Sequence, residues 1–280
     1  MTRYSEEETS RYVQAGDVRL HYHDIGDGAP LICLHGGGPG ASGWSNFVEN
    51  IDALAEHFRV LLIDMPQFGK SEKVIVEEGR LTYTARAVRA FMDALEIPRA
   101  DFIGNSIGAQ SIMKLCIDAP ERVRRHVALG NNAAAPLTFF MPRPQEGIRL
   151  IIDYYKGEGP TREKMRRLIQ TLVYDSTFLT EELLDARYEA SAEPDAVDIW
   201  TNHHPPREEI AHLLDRIETP TLLLWGAEDR FSSLDSGLIE LKVLRNAEMH
   251  IFQRCGHWVQ LEKAATFNKL AIEFLTRADD

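Results

Sequence analysis

Three cysteines in 280 residues, Cys33, Cys116 and Cys255, are too few and too scattered for a disulfide framework or a zinc site. Basic residues are also short. Lys and Arg number 31 against 43 Asp and Glu, a formal charge of −12, and no basic block occurs. A surface that tracks phosphates needs clustered Lys and Arg, so nucleic acid is not expected as a partner. Long apolar runs are missing too: the strongest, such as Val60-Leu61-Leu62-Ile63, fall far short of the roughly 18 residues of a membrane span. The polar, acidic start Met1-Thr-Arg-Tyr-Ser-Glu-Glu-Glu lacks the apolar stretch of a secretory signal. These absences predict a reduced, cytoplasmic, soluble protein with no membrane partner. What remains is ordinary for a globular chain, 44% hydrophobic and 26% charged, which excludes disorder as the main state. Its length suits one α/β domain with an insertion, or two modest domains.

Short β-rich runs alternate with helical patterns, the order expected of a mostly parallel sheet wrapped by helices. Val18–His23 alternates like a half-exposed strand, with His21 and His23 on a strand face. Leu31–Leu34, Val60–Ile63 and Asp101–Ile103 are continuous apolar runs, as buried parallel strands should be. Val127–Leu129, Thr221–Trp225 and Met249–Phe252 continue the series. Helix-length segments lie between them, among them Thr82–Leu95, Ile107–Asp118 and Lys263–Leu275. From about Ala135 to Pro206 the alternation stops, and amphipathic helices are predicted at Glu146–Tyr155, Arg162–Val173 and Glu181–Ala190. Pro136 and Pro205-Pro206 bracket that stretch and suit domain edges. The expected organisation is an α/β core over residues 1–134 and 207–280, with a helical lid over 135–206 inserted into it.

Gly104-Asn105-Ser106-Ile107-Gly108 follows a predicted strand and opens a predicted helix. Its glycines permit a tight turn that leaves the Ser106 hydroxyl at a helix N-terminus, where a developing anion is favoured. A serine hydroxyl is a poor nucleophile until a base takes its proton, so a histidine and an orienting carboxylate should follow. His257, in Cys255-Gly-His-Trp258, sits just past the last predicted strand, and Asp229 follows the strand Thr221–Trp225. The order Ser106, Asp229, His257 is nucleophile, acid, base. Glu228 competes with Asp229 for the acid, and loop histidines are common in any case. The glycine run His35-Gly-Gly-Gly-Pro-Gly40 stands where a turn lends a backbone N–H to a tetrahedral oxyanion. The second donor would be the N–H of Ile107. A phosphate loop is the rival for that run, and it lacks the Gly-Lys-Ser/Thr that would have to follow. No His, Cys and carboxylate spacing supports a metal.

These features, with Val173-Tyr-Asp, Leu179-Thr-Glu-Glu-Leu-Leu, Trp225-Gly-Ala-Glu-Asp-Arg-Phe231 and Phe267-Asn268, resemble the meta-cleavage product hydrolases. That family splits a carbon–carbon bond in the vinylogous diketones made by aromatic ring-cleaving dioxygenases. The resemblance runs from about Ser10 to Leu275. It implies an α/β-hydrolase fold, with a mostly parallel eight-stranded sheet flanked by helices and an inserted helical lid. It also implies Ser106, Asp229 and His257 as the triad, Gly37 and Ile107 as oxyanion donors, and Asn46, Asn105, Arg187 and Trp258 at the dienoate carboxylate and 2-oxo group. Phe231 is expected in the pocket wall. No cofactor is implied, the partner is a small dienoate, and relatives are often homodimers or larger assemblies.

The residues speak independently for Arg187. In a helix over Glu181–Ala190, Leu183, Leu184, Arg187 and Tyr188 share a face, and an arginine there either snorkels outward or meets an anion. Asn105 has the alternative of capping the next helix, and Trp258 that of packing. The sequence also departs from the family. Gly130-Asn131-Asn132-Ala133-Ala-Ala135 stands where relatives commonly have Met-Gly-Pro-Gly-Gly. Ala109-Gln110 replaces a glycine pair, and Pro66-Gln67-Phe-Gly replaces a Pro-Gly turn. The first two departures bear on the pocket for the non-acid end of the substrate. A carboxylesterase of the same fold is the alternative function, and it would not need Arg187. A receptor that only binds ligand is a more distant one.

Overall fold

The computed structural model describes residues 2–134 and 139–278. Eight strands form one sheet: β1 (Ser10–Ala15), β2 (Val18–Ile25), β3 (Ala29–Leu34), β4 (Phe58–Ile63), β5 (Ala100–Asn105), β6 (Val123–Leu129), β7 (Thr221–Gly226) and β8 (Ala247–Phe252). Their order is β1-β2-β4-β3-β5-β6-β7-β8. The β1–β2 and β2–β4 pairs are antiparallel and the other five are parallel.

Alternation along the parallel strands divides the core into two faces. Ile32, Leu34, Leu61 and Ile63 pack with the helices Arg80–Ala94 and Ile107–Asp118. Leu31, Cys33, Val60 and Leu62 pack the other way, against Ile51, Leu54 and the helix Ala264–Thr276. Both faces are covered, which is why β3 and β4 read as unbroken apolar runs.

Two expectations need correction. β1 escaped the sequence reading because it is a polar edge strand, Ser-Arg-Tyr-Val-Gln-Ala, with one buried residue. The half-exposed character expected of Val18–His23 is absent, since Leu20, His21, Tyr22 and His23 are all buried. The histidines are tolerated there because each has a partner. His21 donates from Nδ1 to Asp64 Oδ2 at 2.8 Å while Ser10 Oγ bonds its Nε2, and Thr9 Oγ1 bonds His23 Nδ1. Burial holds the His23 imidazole down at about 4, so it is neutral at physiological pH.

Between β6 and β7 the described residues form four α-helices, Glu146–Tyr154, Arg162–Leu172, Glu181–Ala192 and Pro194–Asn202. The first three match the sequence expectation within two residues, and the fourth was not expected. The expected lid boundary at Ala135 and Pro136 falls outside the described residues. A third apolar cluster, including Tyr154, Met165, Leu168, Leu172 and Leu184, joins these helices to Phe231 and Trp258. The parallel strands thus end at one edge of the sheet, and the helices cover that edge. In parallel α/β sheets ligands bind outside the carboxyl ends of the strands.

Candidate active site

Ser106 follows β5 and caps the helix Ile107–Asp118 with φ 54° and ψ −120°, a left-handed conformation that non-glycine residues rarely adopt. Two features hold it there. Its N–H donates to Leu129 O at 2.8 Å, on the neighbouring strand β6. Gly108 lets the helix approach β3 closely, since a Cβ there would lie 2.5 Å from Leu34 O. The turn therefore presents the Ser106 hydroxyl to the cavity above the sheet.

His257 follows β8 and Asp229 follows β7. His257 Nδ1 lies 2.7 Å from Asp229 Oδ2, both groups buried. The other carboxylate oxygen of Asp229 accepts the N–H groups of Phe231 at 2.7 Å and Ser232 at 2.9 Å. That pins the carboxylate, which in turn fixes the ring and leaves Nε2 free of the Nδ1 proton, the tautomer a general base needs. Glu228 is turned away and accepts from Cys255 N instead. Asp229 is the carboxylate that reaches the imidazole. No Ser106–His257 hydrogen bond is closed among the described residues, though both line one cavity, and such contacts often tighten only with substrate bound.

The glycine-rich turn after β3 runs beside Ser106. Gly36 N donates to Asn46 Oδ1 at 3.0 Å. The amides of Gly37 and Ile107 carry no hydrogen bond among the described residues, and the two residues touch: a Cβ on Gly37 would lie 2.8 Å from Ile107 Cγ2. Two free N–H donors beside a serine can hold an oxyanion.

The cavity itself measures about 290 Å³, enough for one small organic molecule. Gly37, Asn46, Asn105, Ser106, Ile107, Arg187, Phe231, His257 and Trp258 all contribute to its wall. Asp229 stands behind His257. All ten residues singled out from the sequence are thus brought together. Phe231 stacks on the His257 ring at 5.0 Å.

Two groups in this wall keep buried polar atoms without a hydrogen-bond partner. Asn105 is fully buried and neither its amide nitrogen nor its oxygen has a hydrogen-bond partner, so it does not cap the helix. Arg187, 3% exposed, lies over the Trp258 ring at 5.3 Å and donates from Nη2 to Pro39 O at 2.9 Å, while its Nε–H is unpaired. No carboxylate reaches it among the described residues. Burial pulls its guanidinium down to about 10, still cationic. Gly40 is what allows the close approach of this helix: at φ +67°, a Cβ there would sit 2.1 Å from Arg187 O. Buried polar groups cost free energy unless satisfied, so both point to a ligand.

Of the departing residues, Gln110 and Asn132 line the cavity. Asn131 turns away and donates to Glu240 Oε2 at 3.0 Å, and Ala133 is in the core. Gln67 takes a left-handed φ of 74°, the conformation a glycine would adopt freely, and its side-chain amide donates to Val74 O. The sequence reading missed Arg80, Ile148, Ile151, Leu168, Leu172 and Trp200, which also line the wall. The helical periodicity of the segment was visible, but the face turned to the cavity was not.

The alpha/beta hydrolase fold model matches residues 29–264. The 2-hydroxy-6-oxo-6-phenylhexa-2,4-dienoate hydrolase of Comamonas testosteroni is 39% identical, with 98% of this chain and 99% of that one covered. The 2-hydroxy-6-oxononadienedioate/2-hydroxy-6-oxononatrienedioate hydrolase of Paraburkholderia phymatum is also 39% identical, over 97% of each. The chain belongs to the meta-cleavage product hydrolases. A solved meta-cleavage product hydrolase, from Pseudomonas fluorescens IP01, superposes with a TM-score of 0.87 at 30% identity, over 98% of this chain and all of that one. Family membership agrees with the fold and the strand-end placement of Ser106, Asp229 and His257. Among the described residues no helix is long and apolar enough to cross a membrane, and no group of three His, Cys, Asp or Glu could hold a metal ion.

Proposed function

We propose that this chain hydrolyses the C5–C6 bond of a 2-hydroxy-6-oxo-2,4-dienoate, giving a 2-hydroxydienoate and a carboxylic acid. The observation that carries the reading is Arg187: a buried guanidinium with no carboxylate partner among the described residues, in the same cavity as Ser106 and His257. An esterase cleft has no need of it. A dienoate supplies the missing anion, and Asn46, Asn105 and Trp258, which line the same cavity, hold the 2-oxo end.

A carbanion leaves far less readily than an alkoxide, so the dienol must first ketonise: the 2-hydroxyl loses its proton and C5 gains one. Arg187 stabilises the charged end during that step, and His257 moves the proton. His257 then takes the Ser106 proton as Oγ attacks the C6 carbonyl, and the oxyanion forms at the amides of Gly37 and Ile107. The C5–C6 bond breaks, its electrons passing through the conjugated chain to the 2-oxo oxygen, which takes the proton held by His257 and so leaves as the 2-hydroxydienoate. Water, activated by His257, releases the acyl group from Ser106.

We read the four helices between β6 and β7 as a lid over residues 135–206, since each gives side chains to the cavity wall. The three cysteines are free and buried, which favours a reducing compartment and the cytoplasm. Leu238, Leu241 and Ile251, exposed on the helix Leu234–Val243 and on edge strand β8, favour a homo-oligomer. The deciding experiment follows the dienolate absorbance of meta-cleavage products. Enzyme-dependent bleaching with release of the acid is expected. Turnover of neutral esters without bleaching would make the chain a carboxylesterase.

A further inference from the structure

A carboxylate outside the cavity wall holds the loop that carries His257. Glu262 ends the short helix Val259–Glu262 and is half-buried. Its Oε1 accepts the N–H of Gly256, the residue before His257, at 2.7 Å. Its Oε2 accepts the N–H groups of Tyr174 at 2.8 Å and Asp175 at 3.0 Å, which follow the helix Arg162–Leu172. One side chain thus joins the histidine loop to a segment that lies far from it in the chain. Burial pushes the Glu262 carboxyl up, and the same three amides pull it back toward the ionised form.

The two segments also meet backbone to backbone. The last carbonyls of a helix have no partner within it, and that of Leu172 accepts the His257 N–H at 2.7 Å. Gly256 makes room for this contact: a Cβ there would lie 2.7 Å from Leu172 O and 3.0 Å from Tyr174 N. A single hydrogen bond leaves two segments free to pivot about it. Glu262 adds bonds on both sides, and an ionised acceptor makes each about twice as strong as a neutral one would. The turn of the catalytic acid is tied to the same helices, since Gly147 N donates to Arg230 O at 3.1 Å and Arg230 Nη2 to Gln170 O at 2.6 Å. Leu168 and Leu172, on the helix that Glu262 grips at its end, line the cavity. Base and pocket therefore share one support.

We propose that Glu262 is a positioning residue for His257. It fixes the loop Cys255–His257 to the end of the helix Arg162–Leu172, so that the imidazole keeps its place relative to the cavity wall. Glu262 acts through the backbone and moves no proton in the reaction. The proposal rests on the reading in which His257 is the base of a dienoate hydrolase.

Glu262→Gln is the test, because an amide has one acceptor oxygen and its NH₂ group cannot accept the N–H groups on the other side. In this variant kcat on a dienoate should fall by roughly 10- to 100-fold, the scale of misplacing a catalytic group by about 1 Å. Dienoate affinity, titrated in a Ser106→Ala background, should stay within about threefold, since Arg187, Asn46 and Asn105 are untouched. Glu262→Asp keeps the charge but is too short to reach both segments, and should lose kcat in the same way. Both variants are assayed below the onset of thermal unfolding, followed by circular dichroism. A kcat within about twofold of wild type in either variant overturns the proposal. So does a loss that appears as weaker dienoate binding with kcat kept, or one that only tracks the unfolded fraction. Wild type that leaves the dienoate unchanged would instead overturn the parent reading, whatever the variants do.

Discussion

The Arg187 guanidinium lies over the Trp258 indole at 5.3 Å and gives one N–H to Pro39 O, and among the described residues no carboxylate neutralises it. The indole face offers partial compensation in a desolvated setting, of the order of 2 kcal/mol. An incoming carboxylate would meet a charge already held in place, so little ordering is left to do at binding. That pre-organisation separates a dienoate site from a general ester site.

Arg187→Ala should therefore act selectively. Removing one side of a partly buried charge pair costs about 2–4 kcal/mol, so kcat/KM for dienoates should fall roughly 30- to 1,000-fold at about 1.4 kcal/mol per tenfold. Steady-state kinetics on a dienoate and on a small neutral ester check this. A loss concentrated on the dienoate is the expected result. Equal losses would assign Arg187 to holding the helix Glu181–Ala192 against Pro39.

Ser106→Ala should abolish turnover while substrate still binds, because Arg187, Asn46 and Asn105 are untouched. A stoichiometric bound spectrum without product is the expected signature in rapid mixing. Ordinary steady-state turnover in this variant would remove Ser106 from the mechanism.

The two neighbouring acids make a paired experiment. Asp229→Asn keeps the shape but puts an amide against His257 Nδ1, favouring the wrong tautomer, and kcat should fall by about 10³- to 10⁴-fold. Glu228→Gln, whose carboxylate faces Cys255 N rather than the imidazole, should stay within a few fold of wild type. Reversal of the two effects would mean that the acid is Glu228.

That pair also shows how far the sequence could be read. Motif order placed Ser106, Asp229 and His257 at strand ends, with Glu228 as the competing acid, because strand-to-loop register is a local property. Choosing between Glu228 and Asp229 needed the turn geometry, in which Asp229 Oδ1 is tied to two backbone amides. For Arg187 helical spacing left outward snorkelling and an anion contact both open, and the family resemblance is what pointed to the cavity. Arg80 was not legible, because its place in the cavity wall rests on packing against Phe68 and Trp200, the latter 120 residues away, which no local spacing encodes. β1 escaped for a related reason: an edge strand with one buried residue has no apolar pattern to show.

Asn131 has a consequence for stability rather than for the pocket. With Ser236 Oγ at 3.1 Å and Ala134 N, it surrounds Glu240, a fully buried carboxyl. Burial raises this acid to about 8 despite those bonds, so it is protonated in the folded protein at neutral pH. An unfolded chain ionises it near its ordinary value of 4.5. Between those values the folded state binds the extra proton, so stability falls as pH rises. The contribution is fully present below about 4.5, is lost progressively up to about 8, and changes no further above that. One such group contributes a slope of at most about 1.4 kcal/mol per pH unit. Glu240→Gln cannot ionise and keeps groups able to meet both Asn131 and Ser236. Its stability relative to wild type, from urea titrations at pH 6 and pH 8, should therefore improve by about 2 kcal/mol between the two pH values. A difference that stays constant with pH would show that Glu240 is already ionised in the folded protein.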